Sequence, residues 1–237
     1  MKINKTFIKL FVVLSVFVII WAVFFKSPYF SIKEIQVNGL DNLTEEQVVN
    51  MLSVKNGENI FSFSTSKCEK QIKKSHYVEN VKVSRDLPSK VVVNLNEYKL
   101  RGYVPYMGSY LFINENGLIL DIQKNITKQC PVVEGLNFDS FTVGEILAVD
   151  NPSAFDTMVE LSKLFDKYKL LQDVIRVDIT NLNDIHFYVN KVDVEFGSMD
   201  NANRKILMLN EVLKQLDSNY AGILNLTGEN AAFEYLT

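Results

Sequence analysis

Residues Arg85–Tyr98 read RDLPSKVVVNLNEY. Val91, Val93 and Leu95 alternate with Val92, Asn94 and Asn96, the two-residue period of a strand with one buried face. Asp86, Leu87, Pro88 and Ser89 carry turn chemistry. Val78, Val81 and Val83 ahead of that turn supply a second strand, so the stretch predicts a β-hairpin closing a small unit.

Working upstream, two helices should precede the hairpin. Ser66 and Glu69 have capping-box spacing and predict a helix that ends near Ser75, with Cys68 and Ile72 on its inner face. Thr44 and Gln47 form another such box, with Leu43 and Val48 as its hydrophobic staple, and Val48, Met51 and Leu52 then face a core. A first strand runs from Ser31 through Val37 to the turn at Asn38 and Gly39. The predicted order is strand, helix, helix, strand, strand, an α+β unit over residues 27–98.

Further upstream the composition changes. The charges of the first 26 residues are Lys2, Lys5, Lys9 and Lys26, with no acid among them, and Leu10 to Phe25 is an uncharged, mostly large apolar run. With Phe7, Ile8 and Lys9 included, the lysine snorkelling to the interface, the run reaches 19 residues, and a helix of that length spans about 28 Å, close to the ~30 Å hydrocarbon core of a bilayer. No Ala-x-Ala-like site follows it, so an uncleaved transmembrane helix over 10–26, containing Leu10, Trp21 and Phe25, is expected after a cytoplasmic tail of residues 1–9. The lysine bias sets the N-terminus inside and the rest outside. That outer part holds 21 basic against 28 acidic residues, which argues against a nucleic-acid surface.

Downstream, residues 99–237 predict a second α+β domain with a mainly antiparallel sheet. Tyr110–Ile113 and Leu118–Leu120 flank Asn-Glu-Asn-Gly as a hairpin, and Pro131–Gly135 reads as a short strand ending in a turn. Asn151 and Pro152 begin a helix with Phe155, Met158, Val159, Phe165 and Tyr168 at helical spacing. A meander follows, with Ile175, Val177 and Ile179, then Ile185, Phe187 and Val189, then Val192, Val194 and Phe196 turned inward. A helix from about Asn201 carries the stripe Ile206, Leu209, Leu213 and Leu216, and the hairpin Ile223–Leu226 and Ala231–Leu236 comes last.

Chemistry is sparse along this chain. His76 and His186 stand 110 positions apart without metal-ligand spacing around them. Ser198 lacks the flanking glycines of a nucleophile elbow, and phosphate and dinucleotide fingerprints are absent. Glu45 and Glu46 fit the first turn of a helix, while Asp193 and Glu195 alternate outward on a strand, so neither pair is expected to act as a glycosidase dyad. Cys68 and Cys130 fall in different units, which argues against a structural disulfide. No cofactor, metal or small-molecule substrate is expected, and the chain is read as a non-enzyme. Lys67, Lys70, Lys73 and Lys74 make one helix locally basic, most simply as a solvated face.

The βααββ order directly after one membrane span, with the Arg85–Lys90 segment leading into VVVNLNEY, resembles a polypeptide-transport-associated (POTRA) domain. With the further α+β region, nearly the whole chain resembles the FtsQ/DivIB family of bacterial cell-division proteins. That resemblance implies a single-pass membrane protein at the division septum, acting as a scaffold for FtsB/DivIC-type and FtsL-type partners. It places partner contacts, by position, on Ala231, Ala232, Phe233 and Tyr235 of the final strand and on Arg204 and Lys205 of the last helix. Two other readings stand beside it: a POTRA-bearing secretion or envelope-assembly component, and an anchored wall hydrolase.

Overall fold

The computed structural model describes residues 5–216 and 221–236, and the chain divides into two compact units, Met1–Glu97 and Tyr98–Thr237. The first opens with helix α1 (Lys5–Lys26), which begins five residues before the apolar run. Its side chains are described from Lys9 to Trp21, so Leu10 and Trp21 fall inside the described part and the Phe25 side chain outside it. Among the described residues no helix is long and apolar enough to cross a membrane.

After a 3-10 turn at Pro28–Phe30 come β1 (Glu34–Asn38), α2 (Glu45–Met51), α3 (Thr65–Ile72), β2 (Val78–Asp86) and β3 (Lys90–Glu97). The strands lie in the order β1-β3-β2, with β1 parallel and β2 antiparallel to β3. This is the βααββ order that the sequence predicts. The Thr44 capping box forms in full, Thr44 Oγ1 accepting from Gln47 N while the Gln47 side chain accepts from Thr44 N. Glu97 at the end of β3 then holds the approach to α2, its carboxylate accepting from the backbone N–H groups of Asp41, Asn42 and Leu43. Gly39 must be glycine, because at φ 88° a Cβ would sit 1.9 Å from Leu95 O.

The start of α3 differs from the sequence expectation. Ser64, not Ser66, caps it by accepting from Lys67 N. Glu69 is thereby released from capping and instead accepts from Val83 N, tying the helix to β2. Cys68 and Ile72 are buried as expected, in a core with Val48, Ile60, Val91 and Val93. Burial pushes the Cys68 thiol above its usual value, leaving it a small apolar filler.

The second unit contains β4 (Gly102–Tyr106), β5 (Ser109–Ile113), β6 (Ile119–Gln123), β7 (Val132–Glu134), α4 (Pro152–Lys167), β8 (Val174–Asp178), β9 (Ile185–Val189), β10 (Val192–Gly197), α5 (Ala202–Gln215), β11 (Gly222–Asn225) and β12 (Ala232–Tyr235). Among the described residues nine strands form one mixed sheet in the order β12-β11-β10-β9-β8-β7-β4-β5-β6. Strand β4 has no counterpart in the sequence pattern, since Pro105 breaks its strand signal. The sheet tolerates that proline because pairing with β7 is confined to Tyr103 opposite Val132.

Asn151 caps α4 by accepting from Ser153 N. Met158, Leu161 and Phe165 of α4 and Ile206 and Leu209 of α5 share one core with Phe187, Val194, Phe196 and Leu224 of the sheet. Phe187 is its hub, with ring centroids 5.3 Å from Phe165 and 5.2 Å from Phe196. One inward residue is misassigned by simple alternation. The ladder of β8 with β9 slips between Val174 and Arg176, so Val174 is buried and Ile175 is 54% exposed.

Candidate partner-binding edge

The meander β8-β9-β10 and the parallel pairing of β11 with β10 bring the final strand to the outside of the sheet. Strand β12 pairs antiparallel with β11, Phe233 opposite Leu224 and Tyr235 opposite Gly222. Among the described residues no strand lies on its other side. Leu236 donates its N–H to Ala221 O, so by two-residue alternation Glu234 and Ala232 point their backbone toward β11 and Phe233 points its N–H and C=O outward. An edge of this kind offers a row of backbone groups to an incoming extended segment.

The side chains of the edge divide its two faces. Ala232 and Glu234 are exposed. Phe233 and Tyr235 share the other face in a T-shaped pair with centroids 4.8 Å apart. Phe233 and Ala231 are half-buried and pack against the main core, whereas Tyr235 is 57% exposed. The Phe233 ring crosses onto β11 over Gly222, where an added Cβ would lie 2.4 Å from the ring and 2.4 Å from Glu234 O.

Helix α5 meets the edge at its first turn. Arg204 is exposed and its guanidinium donates to Glu229 O in the β11–β12 turn. Beside it an open depression of ≈ 390 Å³ is lined by Ser198, Asp200, Arg204, Lys205, Met208, Thr227 and Glu229 among others. Lys205, also among the expected partner contacts, lines the same depression but turns its ammonium inward. It is only 8% exposed, its Nζ donates to Phe196 O and Ser198 O, both at 2.9 Å, and it stands 4.9 Å from the centre of the Phe196 ring. Burial holds its ammonium below the ordinary lysine value. The structure therefore joins Ala231, Ala232, Phe233, Tyr235 and Arg204 at one edge, with Lys205 beside them but largely buried.

The residues weighed for chemistry are engaged in other ways. His186 lies between two carboxylates, Nε2 3.3 Å from Asp184 and Nδ1 3.4 Å from Asp193. Glu195 accepts from the Asn225 side chain across the β10–β11 pair, and Ser198 Oγ donates to Asp200 at 2.8 Å. Glu45 and Glu46 occupy the first turn of α2. Among the described residues no group of three or more His, Cys, Asp or Glu is placed to hold a metal ion. Two features of the edge went unread in the sequence: the Gly222 seat for Phe233, signalled by the glycine opening β11, and the Arg204 latch, for which no local signal exists.

Residues 30–98 match the family described as POTRA domain, FtsQ-type. Across nearly the whole chain the relatives are proteins named cell division protein DivIB. That of Clostridium botulinum strain Hall is 28% identical over 213 residues, 88% of this chain and 82% of that protein. That of Listeria monocytogenes is 26% identical over 218 residues, 91% and 77%. That of Bacillus subtilis strain 168 is 22% identical over 227 residues, 95% and 82%. Over most of its length the chain is thus similar to DivIB cell-division proteins, and its residues 30–98 match the FtsQ-type POTRA family. A solved structure of the major extracytoplasmic domain of DivIB from Geobacillus stearothermophilus aligns over 52% of this chain and 98% of that one, at 16% identity and a TM-score of 0.34. The POTRA match and the βααββ unit occupy the same residues.

Proposed function

We propose that this FtsQ/DivIB-family chain is a membrane-anchored, non-enzymatic scaffold at the division septum. It holds FtsB/DivIC-type and FtsL-type partners on its outward-facing domains and couples them to septal wall synthesis. The observation that carries the reading is the side of β12 on which, among the described residues, no strand lies, with Phe233 facing its backbone outward and Tyr235 presenting an exposed ring beside it. An extended partner segment pairs there as a tenth strand, with the aromatic pair as the anchor and Arg204 at the rim.

The anchor in this reading is α1. The apolar run Leu10–Phe25 that it carries, 16 residues, gives as a helix about 24 Å, and the flanking residues extend it toward the ~30 Å hydrocarbon core. Leu10 to Leu14 and Val16 to Trp21 are each at least half exposed, so apolar side chains cover the helix all round, which water does not favour and lipid does. Lys2, Lys5 and Lys9 ahead of the span orient it with the N-terminus in the cytoplasm.

The test uses the full chain in lipid nanodiscs with its cognate DivIC-type ectodomain. Wild type should bind, and Tyr235→Ala should lose more than ~2 kcal/mol while keeping its fold, as expected of an interface hot spot. Unchanged binding by Tyr235→Ala moves the site away from the edge. No binding by the wild type, together with normal septation on depletion, ends the scaffold assignment.

A further inference from the structure

Two large apolar side chains of the POTRA unit face solvent at the same end, Tyr29 at 63% and Leu87 at 56% exposure. Register places them together. Strand β1 starts at Glu34 opposite Lys90 and β2 ends at Asp86 opposite Lys90, so the segment before β1 and the turn Leu87–Ser89 leave the sheet at one end. Lys33 N donates to Ser89 O at 2.8 Å and joins the two.

We propose that this end of the unit rests in the membrane interface, with Tyr29 and Leu87 seated among the lipid headgroups. The inference depends on the reading of α1 as the anchor. From Lys26, the last residue of α1, three residues of chain reach Tyr29, at most about 11 Å. The headgroup layer is about 5–7 Å deep on each side of a bilayer. Tyr29 therefore cannot leave the interfacial zone by much, and a tyrosine ring with its hydroxyl is suited to that zone.

The seat is built, not left to a loose loop. Ser27 Oγ accepts from Tyr29 N and fixes the 3-10 turn. Phe30 turns inward onto Phe61, ring centroids 5.4 Å apart, which leaves Tyr29 on the outside. Next to Leu87, Arg85 donates to Ile60 O and Phe63 O and lies 4.7 Å from the centre of the Phe63 ring, pinning the end of β2. The flanking charges are Lys33, Arg85 and Lys90 against Glu34 and Asp86, with Lys90 paired to Glu34 at 3.1 Å. No excess of acid repels the end from an anionic leaflet.

The chain supplies its own control, because Trp21 is its only tryptophan. Full-length protein is reconstituted into phosphatidylcholine–phosphatidylglycerol vesicles carrying lipids brominated near the headgroup or deep in the acyl chain. Quenching of Trp21 in the wild type reports the anchor. On a Trp21→Phe background, Leu87→Trp and Tyr29→Trp report the proposed seat, and Leu40→Trp, in the exposed turn after β1, reports the opposite end. Near-headgroup bromines should quench the reporters at 29 and 87 by ~2-fold or more, deep bromines less, as for a ring in the interface. The reporter at 40 should stay bright in both. Each variant is accepted only with a wild-type circular dichroism spectrum, and two independent seat reporters keep the result readable should one fail to fold. Trp21 quenched with positions 29 and 87 as bright as position 40 overturns the seat and spares the anchor. Trp21 unquenched by either lipid overturns both.

Discussion

Lys205 illustrates what one side chain decides. Its ammonium serves the carbonyls of Phe196 and Ser198 at the end of β10, where the strand turns into α5. Lys205→Met keeps the apolar stem and removes both donors. Leaving buried acceptors unserved costs about 1–3 kcal/mol, which urea unfolding should show, whereas Arg204→Ala at the exposed surface should stay within about 0.5 kcal/mol. The pH dependence has a definite sign. Burial lowers the Lys205 pKa from its ordinary 10.5, so over the alkaline window up to that value the unfolded chain holds more protons than the native one. Stability then rises with pH across the window. Lys205→Met should lose that contribution, giving a flatter stability profile than wild type on the alkaline side. In the sequence Lys205 looks like a helix-surface cation, and only its position beside Ile206, one residue from the apolar stripe, hints at the buried face.

At the scale of elements, β12 depends on β11 for its place and on Gly222 for its fit. Gly222→Ala brings a methyl against the Phe233 ring and against the main-chain oxygen of Glu234. The ring can rotate, but the carbonyl can move only by shifting the strand. The expected result is β12 loosened from β11, with partner binding reduced at least ~10-fold, while the deeper ladder of β8, β9 and β10 keeps its hydrogen-exchange protection. Binding at the wild-type level would show that partner recognition does not use the edge. The same contrast explains what was legible in advance. Strands β9 and β10 bury Ile185, Phe187, Val189, Val192, Val194 and Phe196 in strict alternation, and such patterns are readable because one face is fully covered. The inward residue of β8 was not readable, because a bulge between Val174 and Arg176 reverses the alternation and no local signal marks it. Capping is readable at Thr44, where Gln47 completes the box, and at Asn151, where Pro152 takes the first helical position, and is offset by two positions where Ser62, Ser64 and Ser66 compete ahead of α3. The edge itself was visible only as a last strand. Its sheet order, and the Arg204 contact with Glu229, arise from pairings across 25 or more residues.

For the whole molecule, the division at Glu97 and Tyr98 has an energetic counterpart. One buried cluster runs from Ile32 to Leu95 and a second from Val104 to Leu226, with no residue in common. Each unit thus has its own core and can unfold on its own account. Ile72 is fully buried in the first cluster and Phe187 in the second. Ile72→Ala should cost about 2–5 kcal/mol and Phe187→Ala about 3–5 kcal/mol. Hydrogen exchange on the full chain in nanodiscs should find the loss confined to residues 32–95 for the first variant and 104–226 for the second, the other unit staying within about 0.5 kcal/mol. Protection falling in both units for either variant would instead show one cooperative body. On the proposed reading independence matters, because the unit that follows α1 and the unit that carries the β12 edge then answer to different forces. Damage at the membrane end leaves the β12 edge folded, and damage in the large sheet leaves the POTRA unit folded. On the proposed reading, variants of the large core should lose partner affinity while those of the POTRA core keep it, which binding of the cognate ectodomain by each full-length variant checks.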